Sequence, residues 1–403
     1  MTELNFSAIG DASEDVQAFA DILEVFQKES GVVTHLTRLP WDRAWSSLLM
    51  HAMEAKGADV SQVGTTWAST LAALDSLRPF SETEVRSLGG PLVFAPAAWQ
   101  TVCMEGRGEV WAIPWSVYTF VVFYRRDLLK VAGVDEATAF ASPAIMWHTF
   151  ASLQKKDMVP WVIPTKSPYL DIAHIASSWA RAYGGELISP DGKRSMFNTP
   201  QARQGLVEFF ELYRYISPEY RGLDYEASLE QFFQGKTAVL VAGAESYSDS
   251  MMANAISEDI REKIGVASVP GISWIGGDHL VIWKTIRTDP EKERAGVELI
   301  RSLTSVENQV RIQRETTILP ARLDAYSQLE FQPEGMRAIL ENILQTARPH
   351  PTIRLWHRIE SMLVEMLGNI ANTVVRFPDQ NVKEIVETKL DDYEKRFAIM
   401  LGG

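Results

Sequence analysis

With 403 residues, 46% of them hydrophobic and 23% charged, the sequence is long enough for two ordinary domains and has the profile of a globular protein. Its formal net charge of −13 repels polyphosphate and argues against nucleic acid as the main partner, and no apolar run approaches the roughly 18–20 residues that span a bilayer. Cys103 is the single cysteine, which excludes an internal disulfide and a cysteine-based metal cluster, whereas 12 Trp and 11 Tyr leave aromatic side chains available to line a binding site.

Met1-Thr2-Glu3-Leu4-Asn5 lacks the basic and apolar stretches of a signal peptide and runs straight into a strand, as a cytoplasmic protein or a processed exported one would. Leu4 to Ile9 predicts that strand, and Asp11 with Glu14 resembles a capping box. Val16, Phe19, Ala20, Leu23 and Phe26 keep helical spacing as far as Gly31. Val32 to Leu39 returns as a strand, Pro40-Trp41-Asp42 turns into a second helix ending near Gly57, and Ala58 to Gly64 is a third strand. Strands alternating with helices imply a parallel sheet, whose ligands sit outside the carboxyl ends of the strands. That rule selects three loops, Gly10-Asp11, Pro40-Trp41-Asp42 and Thr65-Thr66-Trp67. The structural alternative is that Asp11 only caps a helix and Trp41 only packs.

Farther on, Glu109 to Arg125 is a strand-rich apolar stretch broken at Pro114, a candidate crossing between lobes. Helices are predicted from Pro143 to Lys156 and from Asp171 to Tyr183, where Ile172, Ile175, Ala176 and Trp179 share a face. Asp191-Gly192 reads as a tight hairpin turn. The helix opened by Thr199-Pro200 carries Leu206, Phe209, Phe210 and Tyr213 as a core stripe. Short strands follow at Thr237 to Ala242 and Ile264 to Val269, and Trp274 to Trp283 gives a loop, a glycine pair and a strand. Residues 289–312 read as one helix, and Glu334 to Phe397 as helical almost throughout. The lack of a low-complexity linker suggests lobes joined by several crossing strands.

Six ordered segments carry a resemblance to a known family: ADVSQVGTTWASTLAALDSLRPF (58–80), GEVWAIPWSVYTFVVFYRRDLLKVAGV (108–134), YGGELISPDGKRSMFNTPQARQGLVEFFELY (183–213), FFQGKTAVLVAGAES (232–246), VASVPGISWIGGDHLVIWK (266–284) and SLTSVENQVRIQRETTILPAR (302–322). In this order they resemble the family 1 extracellular solute-binding proteins, the maltose-binding-protein type. The resemblance implies an α/β, two-lobed periplasmic-binding-protein fold of type II, with discontinuous lobes, each a mixed β-sheet flanked by helices, joined by three crossings. Lobe one would hold 1–112 and 276–322, and lobe two 113–275 and 323–403. It further implies the substrate-binding protein of an ABC importer, which captures a mono- to oligosaccharide or sugar derivative by hinge closure. The partners would be that carbohydrate and the membrane permease, and the chain would act as a monomer at the periplasm or cell surface, with or without a lipid anchor. No cofactor, metal or catalysis is expected.

Sugars present hydroxyl rims and C–H faces, so their sites combine planar aromatics with bidentate polar groups. The candidate ligand residues are Asp11, Trp41, Asp42, Thr66, Trp67, Trp115, Tyr118, Trp179, Glu245, Trp274, Gly276, Gly277, Asp278 and Arg354. The glycine pair would admit backbone amides close to the ligand. Trp179 competes with a core role, and Arg354 with an ion pair to Glu360 or Glu341. Glu245 stands where the family frequently has Trp, which points to a ligand with a more polar edge there. An enzyme is the rival class, but Gly-x-Ser-x-Gly, His-Glu-x-x-His, P-loop and dinucleotide fingerprints are absent, and the seven His show no i, i+4 pair. The other alternative keeps the fold and takes a polyamine, acidic metabolite or phosphodiester.

Overall fold

The computed structural model describes residues 2–10, 16–103, 108–252 and 254–401. Strands in chain order are β1 (Glu3–Ile9), β2 (Val33–Leu39), β3 (Val60–Gly64), β4 (Leu77–Arg78), β5 (Ile113–Pro114), β6 (Ser116–Arg125), β7 (Trp161–Val162), β8 (Val239–Gly243), β9 (Ile264–Ser268), β10 (Ile275–Gly276), β11 (Asp278–Trp283) and β12 (Leu319–Pro320). The fold is α/β with mixed sheets, as the resemblance implied. No helix among the described residues is long and apolar enough to cross a membrane.

The chain divides into two compact units. Unit 1 is Met1–Tyr118, Ile275–Glu330 and Pro349–Trp356; unit 2 is Thr119–Trp274, Phe331–Arg348 and His357–Gly403. The chain therefore passes from one unit to the other five times, where the resemblance implied three. The added pair brackets Pro349–Trp356, which the sequence reading put in lobe two. This segment packs in unit 1 because the hydroxyls of Ser69 and Thr70 donate to the carbonyls of Ile353 and Arg354, at 3.2 and 3.1 Å.

Unit 1 is built on the strand order β2-β1-β3-β11-β4, with β5 also paired to β11. β1 lies parallel to β2, from Glu3↔Val33 to Ile9↔Leu39, and parallel to β3 on its other side. The helix Val16–Ser30 connects β1 to β2. It stops at Gly31, whose φ of 71° only glycine adopts without strain and whose N–H donates to the Gln27 carbonyl at 2.9 Å. β11 arrives from much later in the chain and runs antiparallel to β3, with Asp278 opposite Gly64. Leu4, Phe6, Ala8, Val63, Leu280 and Ile282 are buried, so the sheet forms the core of this unit.

Unit 2 centres on β6, which pairs antiparallel with β8 and β9, while β7 lies parallel to β8. Val121, Val122 and Phe123 are wholly buried, as expected of a strand covered on both faces. Phe123 packs on Phe232, Phe233 and Tyr247, and Trp161 on Phe150 and Tyr213. The stripe Leu206, Phe209, Phe210 and Tyr213 is buried as predicted. Its helix, Pro200–Glu211, has Thr199 as N-cap and Pro200 at the first position, where the missing N–H costs nothing.

One predicted helix is broken in the structure. Residues 289–312 form Pro290–Leu303 and then Val306–Thr316, because Ser305 accepts a hydrogen bond from the Asn308 amide and starts a new helix. The tail is three helices, Met336–Thr346, Trp356–Arg376 and Val382–Leu401. At Asp191-Gly192 the chain turns with Gly192 at φ 69°, but only a single bridge, Ile188↔Ser195, flanks the turn.

Candidate functional site

In unit 1 the carboxyl ends of the parallel strands come together by register. Ile9 is opposite Leu39, and the Gly10 N–H donates to the Leu39 carbonyl at 3.0 Å. The side-chain carbonyl of Gln62, on β3, accepts the Ile9 N–H at 2.8 Å and so ties β1 to β3 near their ends. Asp278 opens β11 beside the end of β3, and the Ser116 hydroxyl donates to its carboxylate at 2.9 Å. Burial pushes this carboxyl up to about 6, and hydrogen bonds from Ser116 and Gln62 only partly offset the desolvation. A half-buried carboxylate fixed by two side chains is suited to accept hydroxyl protons from a solute.

Aromatic side chains lie on the helices that start where β2 and β3 stop. Trp41 begins the helix Trp41–Glu54 after β2 and is 55% exposed. Asp42 beside it is exposed and lies 3.7 Å from Arg43. Trp45, one turn along, meets Trp67 with ring centroids 5.5 Å apart at 48°. Trp67 and Thr66 are half-buried in the first turn of the helix Thr65–Ala73. The Thr65 N–H at that helix start donates to the Gly277 carbonyl at 3.0 Å. Arg354 is exposed and makes no ion pair with another described residue; its backbone is anchored to Thr70. Tyr118 is half-buried at the unit's edge of β6. Asp11 lies outside the described residues.

Several expected ligand residues are structural instead. Trp115 is 1% exposed and packs on Phe19 at 5.4 Å, while its backbone N–H donates to the Asp278 carbonyl at 3.0 Å. It positions Asp278 and presents no ring face to a solute. Trp179 has no exposed surface and packs on Phe209 at 5.0 Å, so its core alternative holds. Trp274 is 5% exposed, and one face is covered by His174, stacked at 3.9 Å and 5°. Gly276 is buried in β10. A Cβ on Gly277 would lie 2.4 Å from the Ser116 carbonyl oxygen, so that glycine is required by backbone packing.

Unit 2 gathers a second polar cluster at the end of β8 and two helix starts. The carboxylate of Glu245 folds back over Gly243, where a Cβ would be 2.0 Å from its Oε1. The Tyr225 hydroxyl accepts the Gly243 N–H at 3.2 Å and shares a hydrogen bond with Ser246 Oγ at 2.9 Å. Burial raises the Glu245 carboxyl well above its ordinary range, and Asp249 and Asp171 raise it further. Asp171 occupies the N-cap position of Ile172–Arg181 without a capping hydrogen bond, and burial pushes it up to about 7.

The sequence reading did not single out Gln62, Ser116, Trp45, Asp171 or Tyr225. A polar residue in mid-strand, Gln62 in ADVSQVG, was the one local signal for the unit 1 set.

The sequence profile of the bacterial extracellular solute-binding proteins matches residues 21–337. The chain belongs to this family. Among its relatives, a probable ABC transporter-binding protein of Deinococcus radiodurans is 23% identical over 327 residues, which is 75% of this chain and 72% of that one. A diacetylchitobiose binding protein, DasA, of Streptomyces coelicolor is 21% identical over 292 residues, 68% of this chain and 63% of that one. Solved structures share the fold of this solute-binding protein end to end. The sugar-binding protein MalE from the phytopathogen Xanthomonas citri is similar at a TM-score of 0.79 with 22% identity, covering 98% of this chain and 99% of its own. An ABC transporter solute-binding protein from Thermotoga lettingae bound with α-D-tagatose is similar at 0.78 with 19% identity, covering both chains entirely.

Proposed function

We propose that this solute-binding protein is the capture subunit of an ABC importer and that its solute is a carbohydrate. It works outside the cytoplasmic membrane, delivers the solute to a membrane permease and turns nothing over. The observation that supports this reading is the unit 1 arrangement, a carboxylate bonded by Ser116 and Gln62 opposite the end of β3, with Trp41 and Trp67 in the first turns of the helices that follow β2 and β3 and Trp45 packed on Trp67. Carboxylate plus aromatic is the pairing that hydroxyl rims and C–H faces demand. Known sugar binders among the structural neighbours support the same choice.

Calorimetry against mono-, di- and oligosaccharides is expected to yield a ligand of micromolar or tighter affinity. Trp67→Ala should weaken that binding about tenfold or more, about 1.4 kcal/mol per factor of ten, with a lowered melting temperature but a still cooperative melt, because the half-buried ring also packs on Trp45 and the unit 1 core. The bound sugar should be recovered intact, and the radius of gyration in solution scattering should fall on binding if capture proceeds by hinge closure. A silent sugar panel, or turnover of the sugar, would overturn the proposal.

A further inference from the structure

Gly64, at the end of β3, adopts φ −60° and ψ 146°, an extended conformation open to any residue, so its backbone does not call for glycine. The space beside it does. A Cβ at position 64 would lie 3.3 Å from Cδ2 of Trp67, and 3.5 and 3.6 Å from its Cε2 and Cε3, so the indole is closed down over the place where a side chain would stand. The helix Thr65–Ala73 begins at the next residue and carries Trp67 in its first turn. Side chains of a helix lean towards its N-terminus, which brings this ring back over the strand end. Trp45 braces the ring, with centroids 5.5 Å apart.

Strand register sets what stands next to that ring. Gly64 is directly opposite Asp278 in the antiparallel pairing of β3 with β11, and the Thr65 N–H extends the ladder to the Gly277 carbonyl at 3.0 Å. Opposed residues of such a pair point to the same face of the sheet, with Cβ positions about 5 Å apart. The Trp67 ring and the Asp278 side chain therefore share one face at neighbouring strand positions. The carboxylate is fixed there, because Ser116 Oγ donates to its Oδ2 at 2.9 Å and accepts the Asp278 N–H at 3.1 Å. We infer that Gly64 is a positioning residue of the solute site. By carrying no side chain it seats the Trp67 ring beside Asp278, so that one sugar residue meets both, its C–H face on the ring and its hydroxyls at the carboxylate. The inference rests on the carbohydrate reading above and says how the site of that reading is spaced. The competing role for Gly64 is helix N-cap, a position that serine fills better than glycine, so the two roles predict opposite results for Gly64→Ser.

The test uses the full chain and titration calorimetry near neutral pH with D-glucose, maltose, cellobiose and N,N′-diacetylchitobiose. Gly64→Ala and Gly64→Ser are measured in the parent and in a Trp67→Ala background, with the sugar that binds the parent most tightly. Gly64→Ala is expected to weaken binding about threefold and Gly64→Ser about tenfold, since a site tolerates little displacement of its contacts. Neither substitution should cost anything further once Trp67 is gone. A cycle that leaves position 64 untouched decides the case if those variants do not fold. Trp67→Ala and Asp278→Asn together should weaken binding by less than the product of their separate factors, because a single sugar residue holds both contacts. Unchanged affinity in Gly64→Ser, an equal loss with and without Trp67, or separate factors that simply multiply would overturn the inference, while sugar binding by the parent keeps the carbohydrate reading. Silence from every sugar overturns the carbohydrate reading, and the inference falls with it.

Discussion

Asp278 sits against Ser116 and Gln62, and burial holds its carboxyl at about 6, above the ordinary 3.8. Because the folded state favours the protonated acid, its contribution to stability is complete below about pH 4 and is lost as pH rises through about 6. Asp278→Asn removes the charge but keeps the shape. Relative to the parent, the variant should therefore be about 1–2 kcal/mol more stable at pH 8 than at pH 4, a figure reduced for partial exposure. Chemical denaturation at the two pH values checks this, and an equal offset at both would refute the buried-charge account. The same variant is expected to lose sugar affinity at neutral pH, a result that would identify Asp278 as a functional group kept against a stability cost. Trp67 and Trp115 show the complementary point. They are one residue type with two fates, because Trp67 starts a helix at a strand end while Trp115 faces Phe19 inside unit 1.

At the scale of elements, close backbone contacts decide which glycines cannot change. The helices Ile172–Arg181 and Pro200–Glu211 pack so closely that a Cβ at Gly205 would lie 2.2 Å from the Trp179 carbonyl oxygen. Alanine is the better helix former by about 1 kcal/mol, yet Gly205→Ala should destabilise the protein by about 2–3 kcal/mol through overpacking. A thermal melt distinguishes the two effects by sign, and a stabilised variant would mean that the helices part without cost. The strand ends follow the same logic of position. Gln62 ties β1 to β3 and at the same time fixes Asp278, so a single mid-strand amide joins the fold of the sheet to the chemistry beyond its edge.

For the whole molecule, acids and histidines pull the pH profile in opposite directions. Burial lowers His51, His174 and His279 to about 4, 3 and 4 from the ordinary 6.5. The stability that these neutral rings contribute is present above pH 6.5 and is lost as pH falls towards those values. Asp171 and Asp278, raised to about 7 and 6, gain stability over much of the same range, so the two sets offset each other. The double variant Asp171→Asn, Asp278→Asn should thus lose more stability than the parent between pH 7 and pH 5, as a pair of melting curves will show. An equal or smaller loss would refute the offset.

The alternation of strands and helices over the first 67 residues, the buried stripe at Leu206, Phe209, Phe210 and Tyr213, and the ordered segments of the family were legible in the sequence because they are local or follow a fixed period. So were the positions of Trp41 and Trp67 just beyond strand ends, through the rule that parallel strands present their carboxyl ends; Asp278 reads in the sequence only as a polar candidate after the glycine pair. The partners of those residues were not legible. Gln62 meets Asp278 only because β11 returns from more than two hundred residues away to lie antiparallel to β3. Trp115, Trp179 and Trp274 carry the same side chain as Trp41 and Trp67, and composition cannot rank their exposure. The Tyr225 hydroxyl meets the Gly243 N–H over which Glu245 folds, and that contact too joins separate segments of the chain. Sequence by itself therefore determined the family, the α/β class and the strand ends where a solute is sought. Tertiary structure alone decided which aromatics are buried and which carboxylates lose their water, because burial and desolvation depend on neighbours distant along the chain.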